Sequence, residues 1–396
     1  MVVLTVSDSQ RRARLATRHA LAPGHRVASV EAAVAAMTCL HATEPASVHL
    51  SAHARSGATR DDVRRALHED RTAVLQLAMR RTVFAFPRDL LPAVWGSAAA
   101  RVAAQLSARL AKEVEANGFA DDGAVWVANT CAAVHSRLRE APATTQQLRE
   151  ALPALALRLE TAPGKRYGGQ FPIAPRILSV LAAGGSVLRG EPAAGWKVSR
   201  PFWTSAEDWL GAEPERLGER EGYAELVRRW LWSFGPGTEA DLVWWLGGTK
   251  SVVRQALADL GAVEVRLADG SPAWVRHDDT AEVAAPEPWA MLLPALDPTT
   301  MGWKGRDFYL GELAPRLFDT NGNGGPTAWW NGRIVGGWTQ EPDGAVAVVP
   351  AVALPRTARG ALTAEAERLT AWLAGEIVRS PYQSPLVRTR EAAGGA

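Results

Sequence analysis

Apolar residues recur three and four apart along most of the chain, the spacing that lines one face of a helix. Val30, Val34 and Met37 follow Ser29 in this way, with Glu31 in the first turn, which predicts a helix over about residues 29–40. Ahead of it, Ser7 or Asp8 can cap a helix through the stretch from Gln10 to Ala20, where Arg11, Arg12, Arg14 and Arg18 sit together. Pro45 disfavours helical geometry at Glu44, so the segment from His41 to Glu44 is predicted to be irregular or extended. A helix over about residues 59–69 precedes the stretch from Leu75 to Phe86, in which Arg80 and Arg81 lead into the strand-like Thr82-Val83-Phe84-Ala85-Phe86.

The order of helices followed by a hairpin recurs downstream. Residues 87–138 are alanine-rich and read as helical scaffold, broken near Gly118 and at Asp122-Gly123. Thr144-x-x-Gln147 is a capping box, Pro175 opens a second helix that stops at Gly184-Gly185, and the strand from Ser186 to Leu188 is predicted to return through Trp196-Lys197-Val198. A helix over about 222–234 then leads through Gly235-Pro236-Gly237 to the capping box Thr238-x-x-Asp241 and a further helix capped by Thr249, with a hairpin turning at Asp269-Gly270. Short strands separated by Gly, Asn and Pro fill about 286–353, and a last helix covers about 363–378.

The fold class predicted is α+β, mainly helical: tandem winged-helix units in one compact chain with a small C-terminal β-rich subdomain. The boundaries read as 1–90 for an N-terminal unit, 91–138 for scaffold, 139–210 and 220–280 for two winged-helix units, 286–380 for the β-rich part with its helix, and 388–396 for a disordered tail.

Composition narrows the function classes. No apolar run approaches the ~20 residues of a membrane span and no secretory segment precedes Arg12, so no membrane partner is expected and the compartment predicted is the cytoplasm. Cys39 and Cys131 lack the spacing of a disulfide framework or a cysteine zinc site. His49 and His53 have the i, i+4 spacing of a helical metal pair, but nothing completes a ligand set, so they read as partly exposed helix residues and no metal or other cofactor is expected. Phosphate-loop, zinc-protease and dinucleotide fingerprints are missing, which argues against a nucleotide cofactor. Long heptad runs are absent too, so a monomer is expected.

The net charge of +2 hides an uneven distribution, since residues 1–90 hold 13 arginines against 8 acids. The second helix of a winged-helix unit fits the ~12 Å major groove, and its wing reaches the adjacent backbone. In the unit at 220–280 that helix offers Lys250, Arg254 and Gln255 and the wing Arg266 and Arg276, which makes double-stranded DNA the natural partner.

Five stretches then carry a likeness. Ser7 to Arg18, Leu40-His41-Ala42-Thr43, Gln76-Leu77-Ala78-Met79-Arg80-Arg81-Thr82, Leu292-Leu293-Pro294-Ala295-Leu296-Asp297-Pro298, and Asp319-Thr320-Asn321-Gly322-Asn323-Gly324-Gly325-Pro326 before Gly332-Arg333-Ile334-Val335-Gly336 resemble, in this order, the AlkZ/YcaQ-like family of winged-helix DNA glycosylases. The resemblance implies release of alkylated bases from DNA, unhooking of interstrand cross-links, and a concave channel for bulky adducts. It also implies a catalytic Gln-x-Gln or Gln-x-Asp after the second helix, and here the matching positions hold His41 and Thr43.

In an extended segment residues i and i+2 point the same way, so His41 and Thr43 can act together. An N7-alkylated guanine leaves as a neutral base, and what remains is to place a water at C1′ and help it lose a proton. Neutral His41 can serve as acceptor or base while Thr43 binds water or phosphate, which predicts lower activity below about pH 6.5, the ordinary histidine value. His41 at a helix C-terminus favourable to the dipole is the bland alternative. No lysine lies near the motif in sequence, so an abasic site is the expected product. Arg11, Arg12, Arg80 and Arg81 are placed as phosphate contacts, with internal salt bridges as their alternative. Two rival functions remain, a non-catalytic DNA-binding protein of the same fold and a scaffold whose winged helices bind protein.

Overall fold

Serine and threonine caps decide where most of the helices begin. The computed structural model describes residues 4–161, 164–166, 168–212 and 216–394. After β1 (Thr5–Val6), the Ser7 hydroxyl accepts from the Gln10 amide to open α1 (Asp8–Arg18), and Ser29 does the same for α2 (Val30–Ala36). The chain then straightens into β2 (Leu40–His41), and Glu44 keeps extended geometry before Pro45 takes the first position of α3 (Pro45–Ser56). Thr59 and Asp62 form a capping box for α4 (Arg60–Arg64), which runs on through a π-turn to Glu69. β3 (Ala73–Ala78) and β4 (Thr82–Pro87) complete a sheet of order β2-β4-β3, with Leu40 opposite Ala85 and His41 opposite Phe84.

Helices α5 (Leu91–Gly96), α6 (Ala98–Ala116) and α7 (Gly123–Glu140) follow, and the predicted breaks at Gly118 and Asp122-Gly123 fall between the last two. Thr144 and Gln147 form the expected capping box of α8 (Thr145–Ala151). A small hairpin, β5 (Arg158–Thr161) with β6 (Gly169–Pro172), then separates it from α9 (Ala174–Ala183). β7 (Val187–Pro192) pairs with β8 (Pro201–Ser205), ahead of α10 (Ala206–Leu210). The return strand is therefore not Trp196-Lys197-Val198. Those residues form the loop, because Trp196 packs against His49 and Trp372 while Lys197 pairs with Glu376.

In the third part α11 (Glu219–Phe234), α12 (Glu239–Leu246) and α13 (Lys250–Asp259) precede the wing of β9 (Val263–Leu267) and β10 (Pro272–Val275). β1 adds to β9 in parallel, so the N-terminal segment is a third strand of that wing. β11 (Ala290–Leu293) opens the last part, and the short turns α14 (Pro298–Met301), α15 (Asp307–Leu310) and α16 (Ala314–Leu317) follow it. β12 (Thr327–Trp330), β13 (Arg333–Gln340) and β14 (Val346–Pro350) complete a four-stranded antiparallel sheet. α17 (Arg356–Leu373) lays Leu362, Leu369 and Leu373 on this sheet against Leu292, Val335 and Trp338, with Leu50 of α3 in the same cluster. α18 (Pro385–Gly394) occupies the stretch from Arg388 for which disorder was predicted, its last predicted residues, 395–396, lying outside the described ones.

Three times the chain runs helix, bridged segment, helix, helix, hairpin. The bridges pair Leu40 and His41 with β4, Ala143 with Trp203, and Gly237 with Trp274. In the first instance the middle helix is α3, which sequence periodicity does not reveal: every residue from Ala46 to Arg55 is buried, and these are mostly alanine, serine and histidine.

A buried polar network fixes α3 beneath the site. Arg55, fully buried, donates from both terminal nitrogens to Asp297, which also accepts from Ser51 Oγ at 2.6 Å and the Thr299 amide. The Arg55 guanidinium is the main counterweight to burial and holds the Asp297 carboxyl below its ordinary range. Asp297, Gln76 and Asp319 from the resembling stretches are thus scaffold. Gln76 links the Trp95 indole to the Ala182 carbonyl, and Asp319 closes its own turn onto Asn321 and Asn323.

Candidate functional site

β2 is an edge strand that ends at His41, and Thr43 follows two positions on, beyond the paired residues. The His41 ring meets Phe84 edge-on at 5.4 Å, its Nδ1 is buried without a hydrogen-bond partner, and the Thr43 side chain is exposed. Ala42 between them turns inward, its amide bonded to the Val83 carbonyl. Burial first, and then the Arg80 cation, push the His41 imidazole down to about 3, with Asp297 opposing. The titration expected near pH 6.5 is therefore corrected: the ring stays neutral across the neutral and mildly acidic range, able to accept a hydrogen bond from water.

Beside β2 the turn from β3 to β4 carries two consecutive left-handed residues, Arg80 at φ 56° and Arg81 at φ 60°. Neither is glycine, and such backbone costs on the order of 1–3 kcal/mol per residue, so the surroundings must hold it. They do so at α12. Its C-capping Gly247, itself at φ 59°, packs close to the turn, since a Cβ there would stand 3.1 Å from the Arg80 side chain. The Arg80 guanidinium stacks 4.1 Å from the Trp244 ring centre, and Arg306 lies over the same ring at 5.2 Å. Arg81 next to it is exposed and makes no ion pair or hydrogen bond among the described residues.

Trp244 continues into a concave surface formed by α12, α13 and the wing, where Lys250, Arg254 and Lys304 gather. Arg80, Lys250 and Arg254 are thus brought to one face. Lys250 is 72% and Arg254 67% exposed, and both reach Glu239. Arg266 on β9 pairs with Glu264 at 3.0 Å. Such exposed pairs are worth roughly 0–1 kcal/mol and exchange readily for phosphate. Trp244, Lys304 and Arg306 were missed by the sequence reasoning. The Trp244-Trp245 pair was the available signal, since neighbours on a helix sit ~100° apart and cannot both face one core; Trp245 is buried and Trp244 is not.

α1 departs from expectation. Arg11 is only 9% exposed, with its guanidinium 3.6 Å above Phe308, so it packs rather than faces a ligand. Arg14 and Arg18 both clasp Asp279. Arg12 is half-buried and donates to the Phe308 carbonyl at 2.7 Å, and the nearby Arg333 adds to burial in lowering its pKa. His49 and His53 are buried rather than partly exposed, and no group of three or more metal-binding side chains could hold an ion among the described residues.

Over residues 34–372 the chain matches the family described as DNA glycosylase AlkZ-like. It belongs to the AlkZ-like DNA glycosylase family. Its members hydrolyse the bond between base and deoxyribose, so this AlkZ-like chain is a DNA glycosylase with DNA as its substrate. The matched stretch includes His41, the Arg80-Arg81 turn and the α12–α13 surface. Among solved structures, the DNA glycosylase AlkZ of Streptomyces sahachiroi has a similar fold, with a TM-score of 0.74 at 20% identity, covering 96% of this chain and 99% of that one. No curated protein matches. No helix among the described residues of the AlkZ-like fold is long and apolar enough to cross a membrane.

For the interface, Arg81→Ala is expected to weaken duplex binding several-fold without sequence preference and to reduce the salt slope of log K by about 1. Binding isotherms at several salt concentrations read both quantities.

Proposed function

We propose that this protein is a monofunctional glycosylase that removes N7-alkylated guanines, bulky and cross-linked ones included, from duplex DNA. One observation carries the reading: a half-buried neutral imidazole and an exposed hydroxyl two residues on stand at an edge strand beside a basic turn. An N7-alkylated guanine already bears the positive charge that makes it a good leaving group, so the protein needs no strong acid. His41 orients a water toward C1′ and draws off its proton as the oxocarbenium character develops. Thr43 supplies a hydroxyl to the same water or to the flanking phosphate. Arg81, Lys250, Arg254 and Arg266 hold the backbone, and burial, with Arg80 adding to it, keeps His41 neutral. No lysine lies near the motif in sequence, so no Schiff base forms and the product is an intact strand with an abasic site.

The absence of the family's glutamines favours one rival, a DNA-binding relative without chemistry. A duplex bearing a single N7-methylguanine separates the two. Strand scission that requires alkali, on the modified duplex and not on the unmodified one, supports the glycosylase. Binding with no alkali-labile site supports the rival, and scission without alkali contradicts the monofunctional assignment.

A further inference from the structure

On the opposite face of the small sheet lies a cavity of about 350 Å³ that the chemistry at His41 does not use. Leu40 and Leu75 both stand opposite Ala85 and therefore share a face, and Ala42 joins them two residues on, whereas His41 lies on the other side. Ala42 and Leu75 form the floor of the cavity, α3 and α4 one wall, and the β7–β8 hairpin the other.

Its lining is mostly apolar, yet it contains three polar side chains with unmet hydrogen-bonding capacity. His49 is 4% and His68 8% exposed, and each has a buried Nδ1 without a partner. Arg189 has an unpartnered Nε and no carboxylate within ion-pair distance among the described residues, and its guanidinium lies 4.6 Å from the centre of the Trp203 ring. The two Nδ1 atoms and the Arg189 Nε are themselves shut off from the void, so an occupant would meet the other nitrogens of these side chains, which make no hydrogen bond to the protein among the described residues, and the void is of ligand size. Burial lowers both imidazoles, to about 3 for His49 and about 4 for His68, with His68 and Arg60 adding to the effect on His49 and Arg64 to that on His68. As neutral rings, each offers one donor and one acceptor. At the mouth Arg64 is neutralised by Asp61, Glu69 and Glu191 and Arg60 by Glu376, which leaves Arg189 as the one lining cation without an ion pair among the described residues. Trp196, 5.1 Å from His49, supplies a flat wall.

We propose that this cavity is a binding site for a planar heteroaromatic molecule bearing a ring carbonyl, of the class of a free oxopurine base. The carbonyl oxygen accepts from Arg189, ring N–H and ring nitrogen satisfy the two imidazoles, and the ring lies along Trp196. The alkylated guanine released under the proposed function belongs to this class, but binding here needs no catalysis, so failure of either idea leaves the other standing.

Calorimetric titration of the full chain with 7-methylguanine and with hypoxanthine, up to about 1 mM, within the weak range for so small a ligand, tests the site. One-to-one binding is expected, and adenine, which lacks the carbonyl, should bind at least about tenfold more weakly. Arg189→Met and His49→Phe should each lose roughly tenfold or more in affinity. Ser199→Trp, placed on the exposed rim, should block binding while leaving the melting temperature unchanged. No heat with either oxopurine, equal affinity for adenine, or full affinity in Ser199→Trp overturns the proposal.

Discussion

Acidification from pH 7 to pH 4 should unfold this protein, with a midpoint near about pH 5. Four histidines are buried and held neutral: His19, His49, His53 and His68. Burial is the first cause in each, and it depresses them to about 3, 3, 4 and 4 respectively. Two of the rings are held by hydrogen bonds at both nitrogens, and in His53 a second ring proton would break one of them. His19 sits between Thr299 Oγ1 and the Ser233 carbonyl, and His53 between the Ala58 carbonyl and Arg368 Nη1, a nitrogen that can only donate. Their folded values lie below the unfolded value of about 6.5, so the stability they confer is complete above that pH and lost as the pH falls from it toward about 4. At pH 5 each costs on the order of 2 kcal/mol, and the four together approach the whole stability of ~5–15 kcal/mol typical of a folded protein. Circular dichroism against pH measures the midpoint. His68→Phe, which removes a titrating group whose ring makes no hydrogen bond, should move the midpoint downward, and a chain still folded at pH 4 would contradict the account. The acid limb of activity should coincide with this unfolding and not with His41, which titrates lower than the sequence alone suggested.

Replacing His41 should slow base release far more than it weakens binding. A positioned general base contributes about 10²–10⁴-fold, and His41→Ala is expected at the lower end because water can refill the site. His41→Gln should fall between alanine and the native residue, since an amide can orient water but cannot remove its proton. Arg80→Met has a separate signature. It removes the second of the two influences that lower the His41 imidazole, burial being the first, so between about pH 8 and 5 the variant's rate should begin to fall at a higher pH than the native protein's, though still below the ordinary histidine value of about 6.5. Single-turnover rates across that range check both statements.

Much of the fold is legible in local signals because caps, proline and glycine act within a few residues. Thr144, Thr238 and Thr249 cap where the sequence places them, Ser7 and not Asp8 caps α1, Ser29 and Thr59 cap helices whose starts the sequence places only approximately, and Pro45 does extend Glu44. What remained hidden depends on distant partners. The arginines of α1 look like a phosphate comb until Asp279, far along the chain, is found between Arg14 and Arg18. α3 has no polar face because the C-terminal sheet and the Arg55–Asp297 network enclose it, so periodicity gives no signal. At the site, the extended His41-x-Thr43 segment could be read from Pro45. The neutrality of His41 could not, since it comes first from burial and then from Arg80, held at positive φ against Trp244 of another unit.

The most direct measurement follows free 7-methylguanine appearing from a single-site N7-methylguanine duplex with protein in excess, for the native chain and His41→Ala, with duplex affinity determined in the same samples. Release by the native protein, at least about a hundredfold slower release by the variant, and affinities within a few-fold are the predicted result. Equal release by both would remove His41 from the reaction, and tight binding with no release by either would leave a DNA-binding member of the family without glycosylase chemistry.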